Sequence, residues 1–211
     1  MVAAVVCNGT VRDYSYYRQY FQQVEYIISV DGGASHVRRF GVMPSLLLGD
    51  FDSIDSEDFN FFKAQGVEIM NFPPEKDMTD TELAVELAVQ KGYKKIIIIG
   101  GAGSRLDHSL ANIFILKKLH DMGAEGIIVD EYNEITVIDD KIQIKREEGI
   151  KVTLLPLSQR VEGVTTKGLY YPLDNATIEM GSTWGVSNEF DSDMAEVTVK
   201  AGLLLVIKSR D

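Results

Sequence analysis

The chain has 211 residues, 45% apolar and 25% charged, enough to bury a substantial core in one domain or two small ones. Its 32 acidic against 21 basic residues give a formal net charge of −11, which repels phosphodiester backbones and disfavours nucleic-acid binding. No apolar stretch approaches the ~20 residues that span a bilayer, and one cysteine with three scattered histidines rules out an internal disulfide and a zinc cluster of the usual spacing.

The opening segment, Met1-Val-Ala-Ala-Val-Val-Cys7, lacks a basic n-region and a cleavage-site pattern, so it reads as a strand and not as a signal peptide. Cys7, among apolar neighbours, reads as a buried structural thiol, and a lone cysteine fits a reducing cytoplasm. Buried strands are expected at 2–7, 26–30, 45–48, 95–99 and 125–130, with helices at 13–22, 34–40, 56–65, 80–91 and 109–122. That alternation predicts a parallel sheet with helices on its faces and ligand-binding loops gathered along one edge. After about Asp130 the helical period stops, and short strands are expected at 135–138, 141–145, 151–156, 176–180, 194–199 and 202–208. Asp139-Asp140 reads as a two-residue hairpin turn between the first two. The expected fold is α/β: a parallel-sheet domain over 1–131, then an antiparallel β-sandwich domain over 132–211.

Four segments carry chemistry. Asp31-Gly32-Gly33 follows a strand and opens a helix, which suits close backbone approach to an anion; a tight turn capped by Asp31 is the alternative. In Gly49-Asp50-Phe51-Asp52-Ser53 the two carboxylates leave an extended chain on one face. Their repulsion is relieved by a hard divalent cation, with Mg²⁺ usual beside phosphates; capping of the next helix by Asp52 or Ser53 is the alternative. Lys76-Asp77-Met78-Thr79-Asp80-Thr81 puts Thr79 and Glu82 in capping-box register and also offers a lysine for phosphate and Asp77 or Asp80 for a metal shell. Gly100-Gly101-Ala102-Gly103-Ser104-Arg105-Leu106-Asp107-His108 lets phosphate rest on backbone N–H groups with Arg105 as a fork, although it lacks a P-loop ending. Capping explains each loop singly. It does not explain why loops sharing one sheet edge all carry acids.

In that order, Asp31-Gly-Gly-Ala, Gly49-Asp-Phe-Asp-Ser-Ile, Lys76-Asp-Met-Thr-Asp-Thr-Glu and the run from Gly100 to Asn112 resemble the thiamin pyrophosphokinase family. Thr165-Thr-Lys-Gly-Leu-Tyr-Tyr-Pro-Leu173 and Gly185-Val-Ser-Asn-Glu-Phe190 resemble its thiamin-binding segments, so the likeness runs over nearly the whole chain. Val186 departs from it, standing where threonine is often found. The resemblance implies transfer of a pyrophosphoryl group from ATP to the hydroxyl of thiamin, giving thiamin diphosphate and AMP, by a homodimer; the cytoplasmic location is the expectation from the lone cysteine. The resemblance also implies Asp50, Asp52 and Asp80 as holders of Mg²⁺, with Asp77 beside them in the catalytic set. Asp31, Lys76, Gly101, Arg105, Asp107 and His108 would serve ATP, and Tyr171, Ser187 and Asn188 would line a thiamin pocket between subunits. Trp184 is expected as a buried anchor of the sandwich, and His36 and His120 as helix-surface residues. The competing readings are an Asp-x-Asp sugar-nucleotide glycosyltransferase, which leaves Lys76 and Arg105 without a role, and a non-catalytic thiamin- or nucleotide-binding regulator.

Overall fold

Short β-branched and leucine-rich runs build six strands in the first part of the chain: β1 (Val2–Val6), β2 (Tyr26–Val30), β3 (Leu46–Gly49), β4 (Glu68–Asn71), β5 (Lys95–Ile99) and β6 (Glu125–Val129). The structure is a computed structural model describing residues 1–73, 75 and 77–211, and it divides into two compact units, Met1–Glu131 and Tyr132–Asp211. In the first unit the strands run in the order β4-β3-β2-β1-β5-β6, and every neighbouring pair is parallel. Ile96, Ile97, Ile98 and Ile99 are all sealed from solvent, as expected for a strand covered on both faces. The chain steps outward from β1 to β4, then returns to the other side of β1 for β5. The strand order therefore reverses between β1 and β5, and a crevice opens at their C-terminal ends.

Helices α1 (Arg18–Phe21), α2 (Gly33–Phe40), α3 (Ser56–Ala64), α4 (Asp80–Gln90) and α5 (Leu106–Asp121) lie between these strands. The helix expected at 13–22 shrinks to one turn. Asp13 Oδ1 accepts from both the backbone N–H and the hydroxyl of Ser15 (2.9 and 2.6 Å), a local turn that competes with helix. Tyr14 and Tyr17 instead pack on Phe40, with ring centroids 5.0 and 5.5 Å away. Strand β4 is absent from the sequence expectation because it is a four-residue edge with exposed ends, too short for a visible period.

The second unit contains β7 (Asn133–Ile138), β8 (Lys141–Lys145), β9 (Lys151–Pro156), β10 (Arg160–Lys167), β11 (Ala176–Glu179), β12 (Met194–Thr198) and β13 (Leu204–Ser209). One antiparallel layer is β7-β13-β9 and the other is β11-β10-β12-β8, with Ile138, Leu154 and Val206 of the first packed on Ile144, Val161 and Val197 of the second. This corrects the expected hairpin. β7 pairs with β13 and β8 with β12, so Asp139-Asp140 carries the chain from one layer to the other. Turn chemistry reports the bend, not which strand lies alongside. Strand β10 was hidden by Gly163, where φ is 68° and the ladder shifts register. Among the described residues no helix is long and apolar enough to cross a membrane.

Candidate functional site

A cleft of about 650 Å³ opens at the reversal of strand order. Its floor and walls are the loops after β1, β2, β3 and β5 and the first turn of α4. Asp31, Asp50, Asp52 and Asp80 all line it, with Gly101, Arg105 and His108.

The capping alternatives fail for the acids that matter. Asp31 does not cap α2, whose N-terminus at Gly32 has no side-chain cap; its Oδ1 accepts from the backbone N–H of Phe51 at 3.2 Å. Helix α3 is capped by Asp55, which accepts from Glu57 N–H at 2.7 Å, and not by Asp52 or Ser53. Ser53 instead accepts from Gly32 N–H (3.3 Å), and Asp50 Oδ1 accepts from Asp52 N–H (3.1 Å). The loops after β2 and β3 are thereby stitched together, and Asp31, Asp50 and Asp52 line the same cleft. Gly49 is required for this: its φ is 152°, and a methyl group there would overlap the Asp31 carboxylate. Thr79 does cap α4, accepting from Glu82 N–H at 3.2 Å, but the Glu82 carboxylate pairs with Lys118 (2.6 Å) instead of closing the box.

Burial, reinforced by the nearby charges of Asp80, Asp50 and Asp52, pushes the Asp31 carboxyl up to about 6. A cluster of this kind, made of hard oxygen donors that repel one another, fits a hard divalent cation in donor chemistry. Among the described residues, however, no three His, Cys, Asp or Glu side chains are close enough together to ligate one ion. The donor type fits Mg²⁺, while the present side-chain positions leave the acids spread around the cleft wall.

The glycine loop after β5 lines the same cleft and is held in place by two side chains of α5. Asn112, buried on α5, donates to Gly101 O at 2.6 Å, and Ser109 Oγ accepts from Gly103 N–H at 3.1 Å. Arg105 reaches the cleft with its guanidinium braced by Asp107 (Nη2–Oδ2 2.7 Å), which holds the exposed Asp107 carboxyl down at about 2. Asp107 braces Arg105 and does not itself line the cleft, and exposed Asp77 also lies outside its lining. Lys76 falls outside the described residues. Sequence reasoning missed Asn8, Thr10 and Asn112, polar residues without a charge signature whose role depends on where the strand order reverses. His36 is also no surface residue: it is half-buried and bonded to Tyr14 and Gly9.

In the second unit Tyr171, Trp184, Val186 and Asn188 border a hollow of about 160 Å³. Trp184 is not the expected buried anchor; it is 63% exposed, as is Tyr171, because it sits in a loop between β11 and β12. Asn188 is buried and spends its amide on the backbone, donating to Tyr171 O (2.7 Å) and accepting from Tyr171 N–H (3.0 Å) and Glu189 N–H (2.9 Å). Ser187, at φ 59°, donates its N–H to Thr153 Oγ1 at 2.9 Å and does not border the hollow.

Fold and cleft define an α/β protein that sets a carboxylate cluster against an amide-rich glycine loop at the strand-order switch, joined in sequence to a β-sandwich. The family described as "Thiamin pyrophosphokinase, catalytic domain" matches residues 17–128, and "Thiamin pyrophosphokinase, vitamin B1 binding domain" matches residues 139–204. The chain belongs to the thiamin pyrophosphokinase family. It is 31% identical over 186 residues to the thiamine pyrophosphokinase of Bacillus subtilis (strain 168), covering 87% of each chain. The crystal structure of the Bacillus subtilis enzyme is similar over 100% of both chains, with 29% identity and a TM-score of 0.90. That of thiamin pyrophosphokinase from Geobacillus thermodenitrificans is similar over 100% of this chain and 98% of its own, with 31% identity and a TM-score of 0.86.

Proposed function

We infer that this chain transfers a pyrophosphoryl group from ATP to the hydroxyl of thiamin, releasing AMP. The observation that carries the reading is that Asp31, Asp50, Asp52 and Asp80 share one cleft with the Gly100–Gly103 loop in a chain of this family. We assign catalysis to 1–131 and thiamin recognition to 132–211. The thiamin oxygen attacks the β-phosphorus, the bond from that phosphorus to the bridging oxygen breaks with AMP as leaving group, and the hydroxyl proton passes to a cleft carboxylate. In this reading the glycine-loop amides and Arg105 bear the phosphate oxygens, with Asp107 fixing the plane of the guanidinium and His108 facing the nucleotide. Asp50, Asp52 and Asp80 would hold Mg²⁺, which when bound neutralises charge on the phosphate chain. Asp77 and Lys76 remain candidates from the motif alone.

Thiamin's cationic ring suits the exposed faces of Tyr171 and Trp184, an attraction worth about 0.5–2 kcal/mol. Asn188 then acts indirectly, by holding the Tyr171 backbone. A hollow of 160 Å³ is below the ~300–1,000 Å³ of most small-molecule pockets, which supports a wall supplied by a second copy in a homodimer. The exposed row Leu106, Leu110 and Phe114 on α5 likewise supports self-association. Incubation with ATP, Mg²⁺ and thiamin, with the nucleotide product identified, tests the assignment. AMP formed with thiamin diphosphate supports it; ADP, or no thiamin-dependent turnover, refutes it. Sedimentation showing a fully active monomer refutes the shared pocket.

A further inference from the structure

The loop between β1 and α1 forms one wall of the cleft through Asn8, Gly9 and Thr10, yet it has no regular structure of its own. It is zipped to the end of β5 and the glycine loop by three backbone bonds, Cys7 N–H to Ile99 O (2.8 Å), Gly9 N–H to Gly100 O (2.9 Å) and Thr10 N–H to Ala102 O (3.0 Å). A methyl group on Gly9 would overlap Gly100 O, so the two loops touch without slack and a shift in one displaces the other. Farther along, Glu131 Oε1 accepts from Arg12 and Asp13 N–H at 2.6 and 2.8 Å.

Between these anchors a single imidazole from α2 reaches both parts of the loop. His36 Nε2 lies 2.9 Å from Gly9 O, and its Nδ1 lies 2.8 Å from Tyr14 Oη. A carbonyl oxygen can only accept, so Nε2 carries the proton and Nδ1 accepts from the tyrosine hydroxyl. The Tyr14 oxygen in turn accepts from Arg39 Nη1 at 3.3 Å. Every bond thus donates in one direction, from an exposed guanidinium through a phenol and an imidazole to a carbonyl in the cleft wall. Burial holds the His36 pKa below its ordinary value, which keeps the neutral ring this relay needs.

We propose that His36 is a positioning residue for the phosphate chain: through Gly9 it locks the β1–α1 loop against the glycine loop, so that both present one fixed surface to the nucleotide. This rests on the reading of the cleft as the ATP site. His36 itself does not line the cleft, and so acts only through the backbone it holds.

Three variants test it. His36→Phe keeps the bulk and removes both bonds, His36→Gln keeps an N–H donor near the Nε2 position, and Tyr14→Phe removes the hydroxyl that donates to Nδ1. Loss of a hydrogen bond at this site is expected to raise the KM and the Kd for ATP about five- to tenfold in His36→Phe, with the KM for thiamin unchanged. His36→Gln is expected within about twofold of the unmodified protein, and Tyr14→Phe at about threefold. Thermal unfolding checks that each variant is folded; if His36→Phe does not fold, the Gln and Tyr14→Phe variants carry the comparison. A folded His36→Phe with ordinary ATP affinity overturns the proposal, as does a His36→Gln as impaired as His36→Phe, or a Tyr14→Phe without effect when His36→Phe cannot be prepared. Calorimetry on the unmodified chain separates the two assignments. Failure to bind ATP at all overturns the cleft reading together with this one, whereas normal binding by it and by His36→Phe alike overturns only the positioning role.

Discussion

Asp31 is held in the cleft against its own preference for charge, and replacing it should make the metal-free protein more stable and inactive at once. Burial and the facing charges of Asp80, Asp50 and Asp52 raise its pKa from 3.8 to about 6. A shift of about two units corresponds to about 3 kcal/mol, and because the side chain is only half-buried, solvent screening reduces this to about 1.5 kcal/mol. Asn at this position keeps an oxygen to accept from Phe51 N–H and carries no charge. The folded carboxyl holds a proton that the unfolded chain has already released between the ordinary carboxylate range and about pH 6. Stability from this group therefore falls as pH rises through that window, and the whole deficit is present above it. Asp31→Asn is thus expected to melt about 3–6 °C above the unmodified protein at about pH 7.5 without divalent cations, and at nearly the same temperature near pH 4. Added Mg²⁺ should stabilise the unmodified protein more than the variant and close the gap. Differential scanning calorimetry at both pH values, with and without Mg²⁺, reads all of this. A variant less stable at about pH 7.5, or one equally stabilised at both pH values, would refute the electrostatic account.

Three further outcomes follow from particular contacts. Gly49→Ala forces a methyl group into the Asp31 carboxylate at a φ of 152°, and should cost about 1–3 kcal/mol in urea unfolding while abolishing turnover. Asn188→Ala leaves Tyr171 N–H and O without their partner; a loss of about 1–3 kcal/mol and a raised KM for thiamin, with the KM for ATP unchanged, are expected from steady-state and unfolding measurements. Trp184→Ala removes a side chain that is 63% exposed, so stability should change by less than about 0.5 kcal/mol while thiamin binding weakens by about 0.5–2 kcal/mol. Unchanged thiamin affinity in Trp184→Ala would remove the aromatic wall from the proposed pocket.

How much of this was legible in the sequence depended on whether a residue announces itself locally. The parallel unit was readable because strands covered on both faces, such as β5 with its run of isoleucines, are written as unbroken apolar segments. The acids of the cleft were readable because Asp50 and Asp52 stand two positions apart in one of several acidic loops sharing a sheet edge; capping of α3 by Asp52 stayed open until the structure gave that cap to Asp55. Asp77 and Asp107 show the limit of that logic. A motif names residues that travel together in sequence, while Asp107 turns to brace Arg105 and Asp77 stays outside the cleft lining.

The amino-acid sequence by itself determined where the longer, strongly patterned strands and helices and the charged loops fall, because those follow from side-chain period and residue type over a few positions; the short β4, the bulged β10 and the one-turn α1 escaped it. Tertiary structure alone decided that Asp139-Asp140 crosses between layers, that Trp184 faces solvent, and that Asn8, Asn112 and His36 converge on or brace one cleft. These are choices of partner across long stretches of chain. They are settled by which surfaces bury together and which buried polar groups find bonds, and no window of neighbouring residues contains that information.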